Sequence, residues 1–194
     1  MKTGIRIPAS IAFLLTMTVL TGIVYPLVVT GAAQIFFPKK ANGSQLVIGG
    51  GTRGSALLAQ DFRSPGFFKA RPSATGYVWV GSGASNLALT NPDLAAAVSG
   101  RRTDWQASFA SPAPADMLYA SASGLDPDIS PEAALAQLPS VAKARDLDTA
   151  ATAKLEGIIR EAAASKTTLL GPPRVNVVEL NAILVTEVAF EAKK

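Results

Sequence analysis

The chain contains neither cysteine nor histidine. Without cysteine there can be no disulfide, no thiol nucleophile and no Cys-ligated metal. Without histidine, Ser-His-Asp and Cys-His catalysis and His-ligated zinc are excluded as well. No remaining residue set supports catalysis by this chain alone. Charge is also scarce, at 16% of residues, and none falls between Arg6 and Lys39. No basic run is interleaved with aromatics, which argues against nucleic acid as a partner. With Lys2 and Arg6 set aside, the 18 basic residues become 16 against 14 acidic ones, a balance of +2.

What fills the charge-free stretch is IPASIAFLLTMTVLTGIVYPLVVTGAAQIFFP. About 20 apolar residues suffice to cross a bilayer as a helix, and this run is longer. Gly31, Ala32 and Ala33 imitate a signal-peptide cleavage site, but a secretory core is only about 7–15 residues long. Tyr25, Phe36 and Phe37 have the character of interfacial anchors. An uncleaved single-pass anchor is therefore expected. The division is a short tail over 1–6, a transmembrane helix with its interfacial flank over 7–38, and one α+β soluble domain over 39–194. Orientation is close to a tie, with Lys2, Arg6 and the α-amino group facing Lys39 and Lys40 across the span.

Beyond the anchor, ANGS reads as a turn and QLVI (45–48) as a strand. GGGTRGS (49–55) has the glycine spacing of a phosphate loop but lacks the lysine that the motif requires after its last glycine. It reads as a flexible loop, a hairpin or a connector. YVWV (77–80) and MLYA (117–120) have strand composition. Asn91-Pro92-Asp93, Ser130-Pro131-Glu132 and Asp148 each mark a helix start through a capping side chain, with proline or an acid following in the first two cases. The second helix is expected to stop or kink before Pro139 and then resume as SVAKAR. VNVVELNAILVTEVAF reads as a short strand turning into a helix.

The segment SASGLDPDIS (121–130) poses the functional question. Its second half begins a helix, but local helix chemistry does not dictate Ser123, Gly124, Leu125 and Asp126. Asp126-Pro127-Asp128 has too few oxygens for a calcium loop and reads as a turn. Arg71 and Arg145 each offer a planar fork for phosphate or carboxylate, or serve as surface cations beside an acid. Gln137 either meets a ligand's polar edge or faces water. In the membrane run, Thr16, Thr18, Thr21, Gly22, Thr30 and Gly31 suit close helix approach, and Pro26 reshapes the helix.

The words LTGIVYP (20–26), ANGS, GSALLAQDF, RPSA, SNL (85–87), SGLDPDIS, VAKAR and VNVVELN (175–181) occur in an order and spacing that resemble the C subunit family of the bacterial Kdp potassium-transporting ATPase (KdpC). Two positions depart from the family pattern: Ala59 stands where glycine is expected, and Ser140 where arginine is usual. The resemblance implies an accessory subunit in the bacterial inner membrane. Its implied partners are a potassium-binding, channel-like subunit, a P-type ATPase catalytic subunit and membrane lipid. It also implies a catalytic chaperone that raises the catalytic subunit's affinity for ATP, with no tightly bound cofactor and with ATP contact through the complex or directly as open alternatives. Carried onto this sequence, the nucleotide-linked candidates are Ser123, Gly124, Leu125, Asp126, Gln137 and Arg145; the membrane-helix packing candidates, read from the span itself, are Thr21, Gly22, Tyr25 and Pro26. The family's domain is pictured outside the cell, where ATP is scarce, so a purely structural subunit at the ion entrance is the rival reading. A secreted monomeric enzyme fits the sequence poorly.

Overall fold

The computed structural model describes residues 8–166 and 171–188. The chain separates into two compact units, Met1–Gln45 and Leu46–Lys194. The sequence divides at 38/39; the helical turn and bend that follow belong with the first unit.

In the first unit, α1 (Ala9–Val19), a π-helical turn (Leu20–Val24) and α2 (Tyr25–Phe36) run end to end. Together they form one apolar helix of 28 residues, Ala9–Phe36. At 1.5 Å per residue this is about 42 Å long, against a hydrocarbon core of about 30 Å. Tilt or emergence of an end accommodates the excess. The π turn has an identifiable cause. Pro26 has no N–H, and its ring crowds the carbonyl four residues back, on Gly22. Widening the turn just upstream relieves that clash. The helix ends at Phe37, whose φ of −139° is non-helical, as expected before proline. Pro38 then opens the single turn α3 (Pro38–Ala41).

The second unit is α+β. Strands β1 (Gln45–Ile48) and β2 (Gly51–Ser55) pair in a two-stranded sheet. Gly49 and Gly50 both have positive φ, 62° and 79°, the requirement of a tight hairpin turn matched to strand twist. The glycine-rich segment is thus a two-residue turn followed by strand, not a flexible loop throughout. Strand β3 (Asp128–Ile129) pairs antiparallel with β4 (Val175–Asn176), with Ile129 opposite Val175.

The predicted helix starts hold. Asn91 accepts from the Asp93 N–H to cap α4 (Pro92–Ser108), and Ser130 accepts from the Ala133 N–H to cap α6 (Pro131–Ala144). Asp148 caps α7 (Thr149–Ser165), and Asn176 caps α8 (Val177–Ile183). A second π-helical turn, Leu184–Val188, follows α8. Expectation and structure part at three places. Helix α6 runs through Pro139 without a break. Its buried residues, among them Ala134, Leu138, Val141 and Ala142, lie on both sides of the proline and hold the two halves on one core. MLYA is not a strand, because Met117 and Leu118 end the short helix α5 (Ala115–Leu118). YVWV forms turns, because Tyr77 has φ 61° and the Val78 and Gly81 N–H groups close back on Thr75 and Val78. Strand propensity there has no neighbouring strand to express it.

Phe68, Ile129, Leu155, Ile159, Val175, Val177 and Leu184 form the centre of the core. Helix α7 presents Leu155 and Ile159 to it, as the helical spacing predicts. On α4, Trp105 is buried while Leu94 and Val98 are half-buried. Each fully buried aliphatic side chain contributes about 1.5–3 kcal/mol.

Candidate functional site

The six nucleotide-linked candidates do not surround a cavity. Four of them, Gly124, Asp126, Gln137 and Arg145, meet one strip of irregular chain, residues 66–75, while Ser123 and Leu125 bond to chain outside it.

The bracing begins in α6. Gln137 is 0% exposed. Its Oε1 accepts from the Lys69 N–H at 2.7 Å, and its Nε2 donates to the Lys69 carbonyl at 3.2 Å. Neither end faces water or an open site. At the end of the same helix, the Arg145 Nε donates to the Gly66 carbonyl. Its guanidinium lies over the Phe67 ring, 4.6 Å from the centroid. Burial lowers the Arg145 pKa from its ordinary value. The expected acidic neighbour is replaced by a carbonyl and an aromatic face.

The SGLD loop supports the other end of the strip. Asp126 Oδ2 accepts from Arg71 Nη1 at 3.0 Å, while its Oδ1 accepts the Asp128 N–H at 3.0 Å. The turn reading of Asp126-Pro127-Asp128 therefore holds, and Arg71 has the nearby acid that the simpler reading expects. Among the described residues no group of three or more carboxylates could hold a metal. Gly124 has φ 68°, and a Cβ there would lie 2.6 Å from Thr75 Oγ1 and 2.7 Å from the Gly83 carbonyl. Glycine is required by backbone conformation and by close approach together. The Ser123 carbonyl accepts from the Gly83 N–H and the Ser82 hydroxyl, at 2.8 and 2.9 Å. The Ser123 hydroxyl accepts the Leu125 N–H, and the buried Leu125 offers its carbonyl to Ala59 at 2.9 Å. Ser140, at the departure from the family pattern, donates to the Ser108 carbonyl at 3.0 Å.

Sequence reasoning missed the partner of Gln137. Asn181 on α8 holds Phe68 in the same way, accepting its N–H and donating to its carbonyl, both at 2.9 Å. Asn181 lies 113 residues from Phe68. Its only sequence signal is an amide at an apolar helical position. Tyr77 was also missed: its hydroxyl donates to the Arg71 carbonyl at 2.8 Å. Its pKa is raised, first by desolvation and then by Asp61, with Arg101 opposing.

Two clefts lie elsewhere, and none of the six candidates lines either. One, of about 380 Å³, runs past Lys69, Tyr77, Arg101, Asp104 and Trp105. Its far wall includes Phe109, stacked 4.2 Å from Trp105 and carrying Lys69 Nζ 5.7 Å from its centroid. The other, of about 270 Å³, is a mainly apolar groove between Ile48, Phe62, Phe67, Val178 and Val185.

Within the apolar helix, the Thr16, Thr18 and Thr21 hydroxyls bond back to the carbonyls of Ala12, Leu14 and Met17 at 2.8, 2.8 and 2.7 Å. Gly22 leaves open space, since an added Cβ would meet nothing within 4 Å. Tyr25 is exposed, and Pro26 stands one residue past it in the first turn of α2.

Comparison with known proteins agrees with the sequence words. A family model described as "K+-transporting ATPase, c chain" (KdpC) matches residues 7–186. A potassium-transporting ATPase KdpC subunit from Pseudomonas putida is 46% identical over 176 residues, covering 90% of this chain and 92% of the relative. Proteins of the same description from Acidobacterium capsulatum and Burkholderia vietnamiensis are 46% and 45% identical. They cover 89% and 95% of this chain, and 93% and 96% of their own lengths.

Proposed function

Because this chain belongs to the KdpC family, the c chain of K+-transporting ATPases, we propose that it is a non-catalytic accessory subunit of an ATP-driven potassium uptake complex, raising the catalytic subunit's affinity for ATP without touching the nucleotide. In this reading Ala9–Phe36 anchors the chain in the bacterial inner membrane beside the channel-like and P-type catalytic subunits. The domain that follows it lies on the extracytoplasmic side. The domain holds the assembled complex in the arrangement whose catalytic subunit binds ATP well. ATP belongs to the complex and not to this chain.

One observation carries the reading. Gln137 is fully buried with both ends of its amide committed to the Lys69 backbone. A residue so placed cannot read a ligand edge without breaking two internal hydrogen bonds. Gly124, hemmed in by Thr75 and Gly83, likewise leaves no room for a phosphate over its Cα.

The test uses the purified complex and a photoreactive ATP analogue. Labelling of the catalytic subunit alone, with a higher KM for ATP when this chain is left out, is the expected result. Saturable label on the peptide containing Ser123–Asp126 would overturn the proposal in favour of direct nucleotide contact. An unchanged KM would leave the subunit a structural role only.

A further inference from the structure

Resting on the reading of this chain as one subunit of a membrane complex, we infer that the backbone carbonyl of Thr21 accepts a hydrogen bond from a hydroxyl or amide donor on a membrane helix of a neighbouring subunit, which approaches across the gap at Gly22.

A helical carbonyl is satisfied by the N–H four residues on, or five residues on in a π turn. For Thr21 these donors would be Tyr25 and Pro26. The Tyr25 N–H is taken by the Leu20 carbonyl, and proline has no N–H. Spanning helices commonly repair such a gap with a nearby Ser or Thr side chain. Here the three neighbouring threonine hydroxyls are committed to the carbonyls of Ala12, Leu14 and Met17. Among the described residues no side chain donates to the Thr21 carbonyl.

The position makes this consequential. Thr21 lies near the middle of the 28-residue apolar helix, where neither water nor lipid tails supply donors, so an unsatisfied carbonyl is costly. The donor must come from another chain. Gly22, with no side chain and nothing within 4 Å of where a Cβ would stand, opens the helix surface beside that carbonyl to close approach. The chemistry selects the occupant: a purely aliphatic helix face would fill the gap but leave the carbonyl unpaired. A Ser, Thr, Asn or Gln at the contact satisfies it.

Thr-Gly pairs occur at 3–4, 21–22, 30–31 and 75–76. With Thr3→Ser, Thr30→Ser and Thr75→Ser, carbonyl-¹³C threonine and ¹⁵N glycine labelling isolates the Thr21 carbonyl in the full chain. Solid-state NMR in membranes is expected to show its shift moving to the hydrogen-bonded range when the complex assembles. An unchanged shift on assembly overturns the inference. As a second measurement, Pro26→Ala adds no bulk but returns an N–H to the helix. It is expected to reduce several-fold the complex surviving a detergent challenge, as is Gly22→Leu, while Ile35→Leu at an exposed position leaves it intact. Wild-type retention by Pro26→Ala would also overturn the inference. Failure of the wild-type chain to co-purify with any partner would overturn the subunit reading and this inference with it.

Discussion

Gln137 and Lys69 are joined by two hydrogen bonds between one side chain and one residue's backbone, 68 positions apart in the chain. Asn181 treats the preceding residue, Phe68, in the same way. Two buried amides thus act as a partner strand for a segment that has no strand beside it. They satisfy four backbone groups that would otherwise be costly to bury.

Replacing Gln137 with Leu should therefore remove a structural element and not a ligand contact. Each orphaned buried group costs about 1–3 kcal/mol, so a loss of about 2–5 kcal/mol is expected in denaturant unfolding of the full chain. Gln137→Glu should lose more, because it keeps one acceptor but places a charge in a fully buried site. Unchanged stability in Gln137→Leu would show that the clamp contributes nothing.

Gly124 and Gly157 make a matched pair. Ala at 124 would combine a φ of 68° with contacts at 2.6 and 2.7 Å, one of them to backbone. A cost of about 2–4 kcal/mol follows from conformation and overpacking together. Gly157 sits exposed inside α7 with nothing within 4 Å, so Gly157→Ala should stabilise by about 0.5–1 kcal/mol. Thermal unfolding of the two variants should move in opposite directions. Movement in the same direction would count against this account of Gly124.

The raised pKa of Tyr77 predicts alkaline sensitivity. Its proton is held more tightly folded than unfolded, so its contribution is fully present below the ordinary tyrosine value near 10. It is lost as pH rises from there through the folded value. Tyr77→Phe should be less stable at neutral pH, by the hydrogen bond to the Arg71 carbonyl, yet show a shallower decline above pH 10. Parallel pH–stability curves for the two proteins would contradict the shift.

Arg71 and Asp126 are each about 30% exposed, at 27% and 31% for their side chains. Solvent screening keeps such a pair modest, so a double-mutant cycle with Arg71→Ala and Asp126→Ala should give a coupling of about 1 kcal/mol or less. Asp126→Ala should cost more than Arg71→Ala, since Asp126 also accepts the Asp128 N–H. Equal costs would mean that this second bond adds nothing.

The parts legible in the sequence are those whose causes are local. Asn91, Ser130 and Asp148 cap helices because a side chain meets an N–H two or three residues away, and the apolar run announces the spanning helix by length alone. The misread segments depend on distant chain. YVWV has strand composition but gains no strand partner, and α6 carries Pro139 because both its halves are packed. At the candidate site the sequence singled out SGLD, Gln137 and Arg145 but not what they touch. The strip at 66–75 that Asp126, Gln137 and Arg145 hold was hidden because those three links span 55, 68 and 79 residues.

Those long links also set an order of events during synthesis. The Asn176 side chain donates to the Ala56 carbonyl 120 residues earlier, and Asn181 reaches back 113 residues to Phe68. Strand β3 has no partner until β4 is made. The early hairpin, and Phe68 in the strip, therefore wait for these last contacts while nearly all the remaining chain is produced. At about 5–20 residues per second, that interval is on the order of ten seconds. A ribosome that stops at Ser165 would leave α7 made but β4 and α8 missing and the domain unable to close, which makes residues 175–184 the latch of the fold.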